Sequence, residues 1–390
     1  MKLLRTLSTR SLALLIVAIA ALAAGGTVIA LAADGGGPTP PPKPLDQAIH
    51  DALAAPKPNG VTARIAFTNK LIPSGALLGN AGSALLSGAS GRLWLTGDGK
   101  GRIELQSDAG DVQIVWDSST VSIYDASTRT VYKAKLPTPG GSAGSSESSG
   151  PPSLAEIDSL LSKLGAHATI SAAKPADVAG HAAYSVSVSP KHDGGLLGSA
   201  ELAWDAARGV PLRVAIFAQG SNSPVLELKV TEISFGPVPA SDVEVQPPSD
   251  TKVVELSPPS GNHAEQHGPP VTGLSQVQAA AGFPVKAPDT LVGLPRQDVR
   301  LIGNGDSKTA LVLYGHGLGG LVVVEHAASG GAGPSGALSA LPRISLDGIT
   351  AHELATQLGT VLSWQANGTA FVLGGSLPPA AAEAAARALR

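Results

Sequence analysis

Residues 91–133 alternate between apolar and polar positions, and short turns rich in Gly, Asp and Ser interrupt the alternation at regular intervals. Leu93, Ile103 and Ile114 each lie in a run in which every second residue is apolar. Because successive side chains of a strand point to opposite faces, this period of two predicts an antiparallel β-meander with one apolar and one polar face. What covers the apolar face then decides the function.

The same two periodicities predict the elements of the rest of the chain. Strands are expected at residues 61–67, 183–188, 200–204, 212–217, 225–235, 310–314, 321–326, 343–349, 361–365 and 370–373. Helices are expected at residues 45–55, 154–164, 274–281 and 379–389, where apolar residues recur every three or four positions. Ser153 and Glu156 have the spacing of a capping box at the start of the second helix. The predicted fold class is α+β, mainly β.

Residues 69–90 fit neither pattern. The segment carries six large apolar side chains among glycines and alanines, which are Leu71, Ile72, Leu77, Leu78, Leu85 and Leu86. It is too apolar for an ordinary surface loop and too rich in glycine for a predicted helix. Two interpretations stay open, a loop folded over the core or a mobile lid on a hydrophobic cavity, because long loops in compact domains are often functional.

The N-terminal residues indicate export. Three basic residues precede an apolar run at residues 12–33, and they are Lys2, Arg5 and Arg10. This order directs the amino end to the cytoplasm and the remainder outward. The run reaches the roughly 20 residues that span a bilayer, but residues 21–23 and 30–32 also fit a small-x-small cleavage site. An uncleaved anchor and a cleaved signal peptide both stay open, and either places the folded part outside the cytoplasmic membrane.

Length and composition narrow the possibilities further. A chain of 390 residues has room for two domains, and we place them at 45–255 and 272–390. A proline-rich tether at 34–44 and a linker at 256–271 complete the division. The absence of cysteine excludes disulfides, thiolate metal sites and a Cys nucleophile. A net charge of -3 without a basic cluster argues against nucleic-acid binding.

The candidate chemistry is weak. His263 and His267 lie four residues apart, but in a Gly- and Pro-containing linker that does not favour the helix a metal pair needs. The glycine cluster at 315–320 lacks phosphate-binding spacing and predicts a hairpin turn. The recurring aspartates are expected to shape turns and not to bind calcium; these are Asp98, Asp108, Asp111 and Asp117. We therefore expect no enzyme, no cofactor and no metal.

The order of several short motifs resembles the lipoprotein-carrier fold of the LolA type and its relatives, which include the RseB/MucB-like sigma-factor regulators. The motifs are Gly91-Arg92-Leu93-Trp94-Leu95, Gly101-Arg102-Ile103-Glu104, Trp116-Asp117-Ser118, Tyr124-Asp125, Thr130-Val131-Tyr132-Lys133, residues 178–184, Leu202-Ala203-Trp204-Asp205, residues 209–213 and residues 233–236. They cover most of residues 60–250. The block at 364–370, with the terminal helix, resembles the small α/β domain attached to RseB-like regulators and other bacterial exported proteins.

This resemblance implies an incomplete antiparallel β-barrel wrapped around short helices, with a hydrophobic cavity for acyl chains or acylated proteins, followed by a small C-terminal α/β domain. A membrane anchor and an added domain favour a tethered role over free shuttling. The expected function is a membrane-tethered, extracytoplasmic protein that holds a lipid acyl chain or a lipoprotein. The alternative is an envelope sensor or regulator acting on a membrane anti-sigma factor or a similar partner.

The candidate residues of the cavity or lid are Leu71, Ile72, Leu77, Leu78, Leu85, Leu86, Leu93, Ile103, Ile114 and Leu226. A half-barrel too wide to be filled by its own side chains accepts a hydrocarbon chain, whereas a fully packed core does not. Both an open cavity and a filled core stay compatible with the sequence.

Overall fold

The computed structural model describes residues 37–71, 84–136, 152–166, 168–191, 195–256, 271–303, 305, 308–316, 319–328 and 341–390. Within these ranges the chain forms a 13-stranded sheet, an 8-stranded sheet and several short helices. The fold is α+β and mainly β, as the sequence predicts. The linker histidines His263 and His267 lie outside the described residues.

The first sheet contains strands β1 to β13. Their bounds are β1 Gly60–Asn69, β2 Ala89–Thr96, β3 Gly101–Gln106, β4 Val112–Trp116, β5 Thr120–Asp125, β6 Thr130–Lys135, β7 Ala168–Ile170, β8 Lys174–Val178, β9 His181–Pro190, β10 Leu197–Asp205, β11 Pro211–Ala218, β12 Pro224–Phe235 and β13 Lys252–Leu256. Their order is β13-β6-β5-β4-β3-β2-β1-β12-β11-β10-β9-β7, with β8 paired to β9. β13 and β7 are the two ends of this path, so the barrel formed by the described strands is incomplete.

The register of β1 to β5 aligns one apolar residue from each strand directly across the sheet. We call this set the apolar row; it consists of Ala63, Leu93, Ile103, Ile114 and Ile123. Directly opposed strand residues share a face, so the whole row lies on one side of the sheet. The row packs in one hydrophobic cluster with Ile65 and Phe67 of β1.

Two glycines allow close approaches inside this meander. A Cβ atom at Gly91 would lie 1.9 Å from the backbone carbonyl oxygen of Glu104 on β3. A Cβ atom at Gly101 would lie 2.1 Å from the indole ring of Trp116 on β4. Glycine at these positions therefore lets β2 lie against β3 and lets the Trp116 ring lie across β3.

Four short helices accompany the first sheet: α1 Leu45–Ala54, α2 Ala84–Ser87, α3 Leu154–Gly165 and α4 Ala240–Val243. α2 is a difference from the sequence prediction, which placed no helix in residues 69–90. It forms because tertiary packing outweighs the glycine-rich composition around it: Ala84 is fully buried in the same cluster as the apolar row. α3 begins at the predicted capping box of Ser153 and Glu156.

The described part of the predicted tether lies against the folded body. Pro40 is buried, and the Tyr184 hydroxyl donates a hydrogen bond of 2.7 Å to the carbonyl oxygen of Pro41. Tyr184 itself packs with Ala48 of α1 and Trp204 in a second cluster. An extended proline segment leaves its carbonyl groups without internal partners, so a buried hydroxyl can fix it in place. Residues 37–44 thus lie against the folded body, whereas the sequence predicts an extended, semi-stiff tether there.

The segment that contains α4 lies along the polar face of the meander and leads into β13. Lys100 Nζ lies 2.7 Å from a Glu244 carboxylate oxygen, and Arg102 donates to the carbonyl oxygen of Asp242 in α4 at 3.1 Å. β13 then pairs in parallel with β6. β13 is not predictable from the sequence, since nothing local in residues 252–256 shows that they join a distant edge.

The second sheet contains β14 Thr290–Leu291, β15 Leu294–Ile302, β16 Thr309–Tyr314, β17 Leu321–Ala327, β18 Arg343–Leu346, β19 Ile349–Ala355, β20 Thr360–Ala366 and β21 Thr369–Gly375. Helices α5 Leu274–Ala281 and α6 Pro379–Ala388 pack on it. The expected hairpin around residues 315–320 is present between β16 and β17. The single strand expected at 343–349 is wrong: Asp347 and Gly348, both with positive φ, turn the chain between β18 and β19.

The two sheets meet through a few backbone and side-chain hydrogen bonds. Ser376, after β21, accepts the amide hydrogens of Leu196 and Leu197 on its hydroxyl oxygen at 3.0 and 2.9 Å. Gln357, in the turn before β20, donates to the carbonyl oxygen of Lys70 at 2.9 Å. The second sheet therefore touches the first just after β1 and just before β10.

None of the helices in the described part of the chain is both long and apolar enough to cross a membrane. The apolar run at 12–33 lies outside that part, so the anchor remains a prediction.

Glu325 is a fully buried carboxyl group in the core of the second sheet, opposite Ala310 on one side and Phe371 on the other. Its Oε2 atom accepts the amide hydrogen of Lys286 at 2.8 Å, and its Oε1 atom has no hydrogen-bond partner among the described residues. Burial raises the pKa of Glu325 to about 7, because a charged carboxylate loses its hydration there.

Gly91→Ala is expected to lower the free energy of unfolding by about 1–3 kcal/mol, because the new methyl group must displace the backbone of β3. Chemical denaturation of the full chain measures the change. Gly236→Ala is the control, since a Cβ atom there meets no heavy atom within 4 Å. Equal stability of the two variants would contradict the close packing of β2 on β3.

Glu325→Gln is expected to remove a pH dependence of stability. Between the unfolded pKa near 4.3 and the folded pKa of about 7 the folded state keeps a proton that the unfolded state releases, so stability falls as pH rises through this window. The full effect is on the order of 3 kcal/mol. Denaturation from pH 4 to pH 8 tests it against Glu232→Gln, an exposed control; identical slopes in both variants would refute the role of Glu325.

Candidate functional site

The structure brings four of the predicted cavity residues together. Leu85 of α2, Leu93, Ile103 and Ile114 all belong to the cluster that contains the apolar row. Leu226 is buried in β12 opposite Asn69, and it is not among the residues of that cluster. The candidate site is therefore the apolar row with the short helix α2.

The remaining predicted residues lie in or beside the segment 69–90. Leu71 is half-buried directly after β1. Ile72, Leu77 and Leu78 fall outside the described residues, and the side chain of Leu86 is not described although its backbone belongs to α2. Whether this segment is a packed loop or a lid stays a prediction.

The leucine and isoleucine side chains of the apolar row are less buried than those beside them, whereas Ala63 of the row is only 3% exposed. Leu93, Ile103 and Ile114 are half-buried, whereas Ile65 and Phe67 of β1 are 3% and 1% exposed. A residue at the centre of a packed core is expected to be almost completely covered. The row therefore offers apolar surface that the described part of the chain does not fully cover.

Asn69 joins the two ends of the segment beside the row. Its Oδ1 atom accepts the amide hydrogen of Leu71 at 2.8 Å, and its Nδ2 atom donates to the carbonyl oxygen of Leu85 at 2.9 Å. One side chain thus fixes the exit from β1 and the helix α2 that packs on the row. Sequence reasoning missed Asn69, because no local pattern shows that an amide reaches a carbonyl 16 residues away.

Two further side chains on the apolar face were not among the predicted site residues. Ile123 extends the row onto β5. Trp116 is half-buried on the same face as Ile114, with its ring over Gly101. The period of two that placed Ile114 on this face also places Trp116 there, so the signal was present in the sequence.

The titratable groups near the meander serve turns. Asp117 accepts the amide hydrogens of Ser119 and Thr120 at 2.7 and 2.8 Å, and these bonds lower the pKa of its carboxyl group to about 2. Among the described residues no group of three or more His, Asp or Glu side chains could hold a metal ion. Asp117 thus shapes the turn between β4 and β5.

An open groove of about 440 Å³ lies elsewhere, between α1, α3 and β7. None of the predicted cavity residues lines it. Its lining residues are Leu45, Leu161, Ser162, Gly165, Ala168, Thr169, Ile170 and Lys191.

No family model and no curated protein matches this chain. Solved structures do match. One is a crystal structure of MucB in complex with MucA(peri), with a TM-score of 0.42, 16% identity, and coverage of 89% of this chain and 96% of that chain. Another is the Pseudomonas aeruginosa MucA/MucB complex, with a TM-score of 0.42, 17% identity, and coverage of 88% and 94%.

A third match is a putative outer membrane lipoprotein-sorting protein domain from Vibrio parahaemolyticus, with a TM-score of 0.23 and 13% identity. It covers 52% of this chain and 96% of that domain.

Proposed function

We propose that this protein is a membrane-tethered, extracytoplasmic binding protein whose half-barrel holds a lipid acyl chain, free or attached to a lipoprotein, against the apolar row. The observation that carries the proposal is the half-burial of Leu93, Ile103 and Ile114 on one continuous sheet face. The basic and then apolar N-terminal sequence supports the location, because it directs the folded part outward.

The dimensions of the row suit a hydrocarbon chain. Neighbouring strands lie about 4.8 Å apart, so the four steps from β1 to β5 span about 19 Å. Each methylene group removed from water gains about 0.8 kcal/mol. Six methylene groups along the row would thus contribute on the order of 5 kcal/mol, which is enough for millimolar affinity before any other contact is counted. Contacts with α2 and Trp116 would add to this.

The proposed role is binding and not catalysis. The row itself consists of aliphatic side chains, and these offer neither a nucleophile nor an acid–base pair. Specificity for hydrocarbon then follows from the cost of placing a polar group on this face without a partner.

Ile103→Glu is expected to weaken binding of a fluorescent fatty acid, cis-parinaric acid, at least about tenfold, because the carboxylate must be desolvated beside the bound chain. Val115→Glu is the matched control: Val115 neighbours Ile114 on β4 and therefore points to the opposite face. Fluorescence titration of the full chain measures both variants. Equal weakening in both, with unchanged stability, would place the binding site elsewhere.

Lipid carried through purification gives an independent test of the same proposal. Mass spectrometry of the full chain, purified with and without Ile103→Glu, is expected to find acyl lipids with the unchanged chain and much less with the variant. Equal lipid content in the two samples would contradict binding at the row.

A second function, regulation of a membrane partner such as an anti-sigma factor, is favoured by one contact between the two sheets. Gln357 of the second sheet donates to the carbonyl oxygen of Lys70, the residue that follows Asn69. Asn69 holds α2 against the row, so a ligand that displaces α2 would disturb this contact. In this proposal the second domain has two conformations, and a ligand bound at the row shifts the equilibrium between them. The membrane partner then binds one conformation more tightly than the other. The MucB structures are complexes with MucA, and we extend that kind of partner to this chain only as a proposal.

Affinity purification of the full chain from its native membranes tests this second function. A single-pass membrane protein is expected to copurify, and added fatty acid is expected to change its yield at least severalfold. Ser376→Ala, which removes the hydroxyl acceptor of the Leu196 and Leu197 amides, should reduce the response to fatty acid. A yield that is insensitive to fatty acid would argue against the sensor role.

A further inference from the structure

We infer that α1 and α3 form the surface on which the folded part of the protein rests against the lipid bilayer. We call this surface the α1–α3 face and define it by Leu45, Leu53, Leu154, Leu161, Lys163 and Leu164. The inference rests on the proposed membrane anchor and adds to it the orientation of the body and the chemistry of the surface that it touches, an anionic phospholipid leaflet.

Large apolar side chains are exposed on these two helices. Leu53 on α1 is 44% exposed, and Leu154 and Leu164 on α3 are 38% and 46% exposed. Single exposed leucines are common on soluble proteins, whereas these three lie on two helices that pack on each other. Leu154 and Leu164 belong to the same apolar stripe of α3 as the buried Ile157. Because both are exposed, the apolar stripe extends beyond the part of the helix that packs against the protein.

The groove places the exposed end of α3 beside the point where the tether enters α1. Leu45, the first residue of α1, lines the groove together with Leu161 and Gly165 near the end of α3. The amino end of α1 therefore lies next to the last turn of α3.

The charges on the face differ between its two ends. Glu156 and Asp158 lie in the first turns of α3, and Asp46 lies in the first turn of α1. The exposed Lys163 lies in the last turn of α3. Lys191, on the rim of the groove, donates to the carbonyl oxygen of Gly165. Leucines beside exposed lysines are the composition that binds anionic membrane surfaces. The end of the face that adjoins the tether is therefore the end suited to lipid.

The chain between the anchor and the body is short. The apolar run at 12–33 has 22 residues, and as a helix it would be about 33 Å long, close to the roughly 30 Å of a hydrocarbon core. From residue 33 to Gly37 there are four Cα steps, at most about 14 Å. The headgroup layer takes up about 5–7 Å of that distance. Gly37 is thus held within about 10 Å of the membrane surface.

The tether has no slack after Gly37. Pro40 is buried, Pro41 accepts the hydrogen bond from Tyr184, and Lys43 forms an ion pair of 2.5 Å with Asp51 of α1. The segment that would let the body swing away is therefore bound to the body itself. The first turn of α1 and the end of α3 must then lie close to the headgroups.

Site-directed labelling tests this orientation, and the absence of natural cysteine makes single-cysteine variants simple. The full chain with Leu164→Cys carries an NBD fluorophore in vesicles of phosphatidylcholine and phosphatidylglycerol. Val253→Cys and Ile302→Cys are controls at apolar positions that are 51% and 54% exposed but lie on other surfaces. We expect brominated lipids to quench the Leu164 label several times more than either control, and iodide to quench it several times less.

Three results would overturn the inference. The first is equal iodide access at Leu164 and both control positions. The second is a shielded label that brominated lipid does not quench, which would indicate contact with a second copy of the chain. The third is an intact mass showing that the N-terminal 33 residues have been removed. Binding of cis-parinaric acid is measured on the same samples. If the protein binds the fatty acid while the label stays exposed to iodide, the proposed orientation is wrong and the proposed ligand stands. If the protein does not bind the fatty acid while lipid quenches the label, the proposed ligand is wrong and the orientation stands.

Discussion

The strand register of the meander is the constraint on which the site depends. Side chains alternate between the two faces of a strand, so a slip of one residue in any strand would move its apolar residues to the polar face and its charged residues onto the row. Gly91 supports the register because only glycine permits that approach to the carbonyl oxygen of Glu104. The β4–β5 turn supports it through Asp117, whose carboxylate accepts the amide hydrogens of Ser119 and Thr120. The apolar row is therefore a property of pairing between strands and not of any one strand.

This dependence explains what the sequence could and could not predict. Leu93, Ile103 and Ile114 were placed on one face from the period of two, and the registers confirm that they are neighbours. The helix at Ser153 was predictable because its capping box is local. Asn69, α2 and β13 were not, because each depends on a partner that is distant in the sequence. Leu226 shows the limit of pattern alone: it has the right period but lies in β12 outside the cluster.

The proline-rich segment shows how a composition can mislead. Prolines at residues 38–44 predict an extended chain, and the chain is extended there, but extension leaves carbonyl groups that a buried tyrosine can capture. Tyr184 does so, and the same ring packs against α1. The segment thus belongs to the folded body, and it fixes which side of the body is nearest to the predicted anchor. In this arrangement the docked prolines contact the first sheet, and the first sheet contacts the second.

Methyl NMR can detect contact between a bound hydrocarbon chain and the isoleucine methyl groups of the apolar row. The full chain is prepared with ¹³C-labelled isoleucine methyl groups and is mixed with palmitate. We expect intermolecular NOEs from palmitate methylene protons to the methyl groups of Ile103, Ile114 and Ile123. We expect none to Ile302, which lies exposed on the second sheet. Bound palmitate that shows NOEs only to methyl groups outside the row would contradict binding at the row.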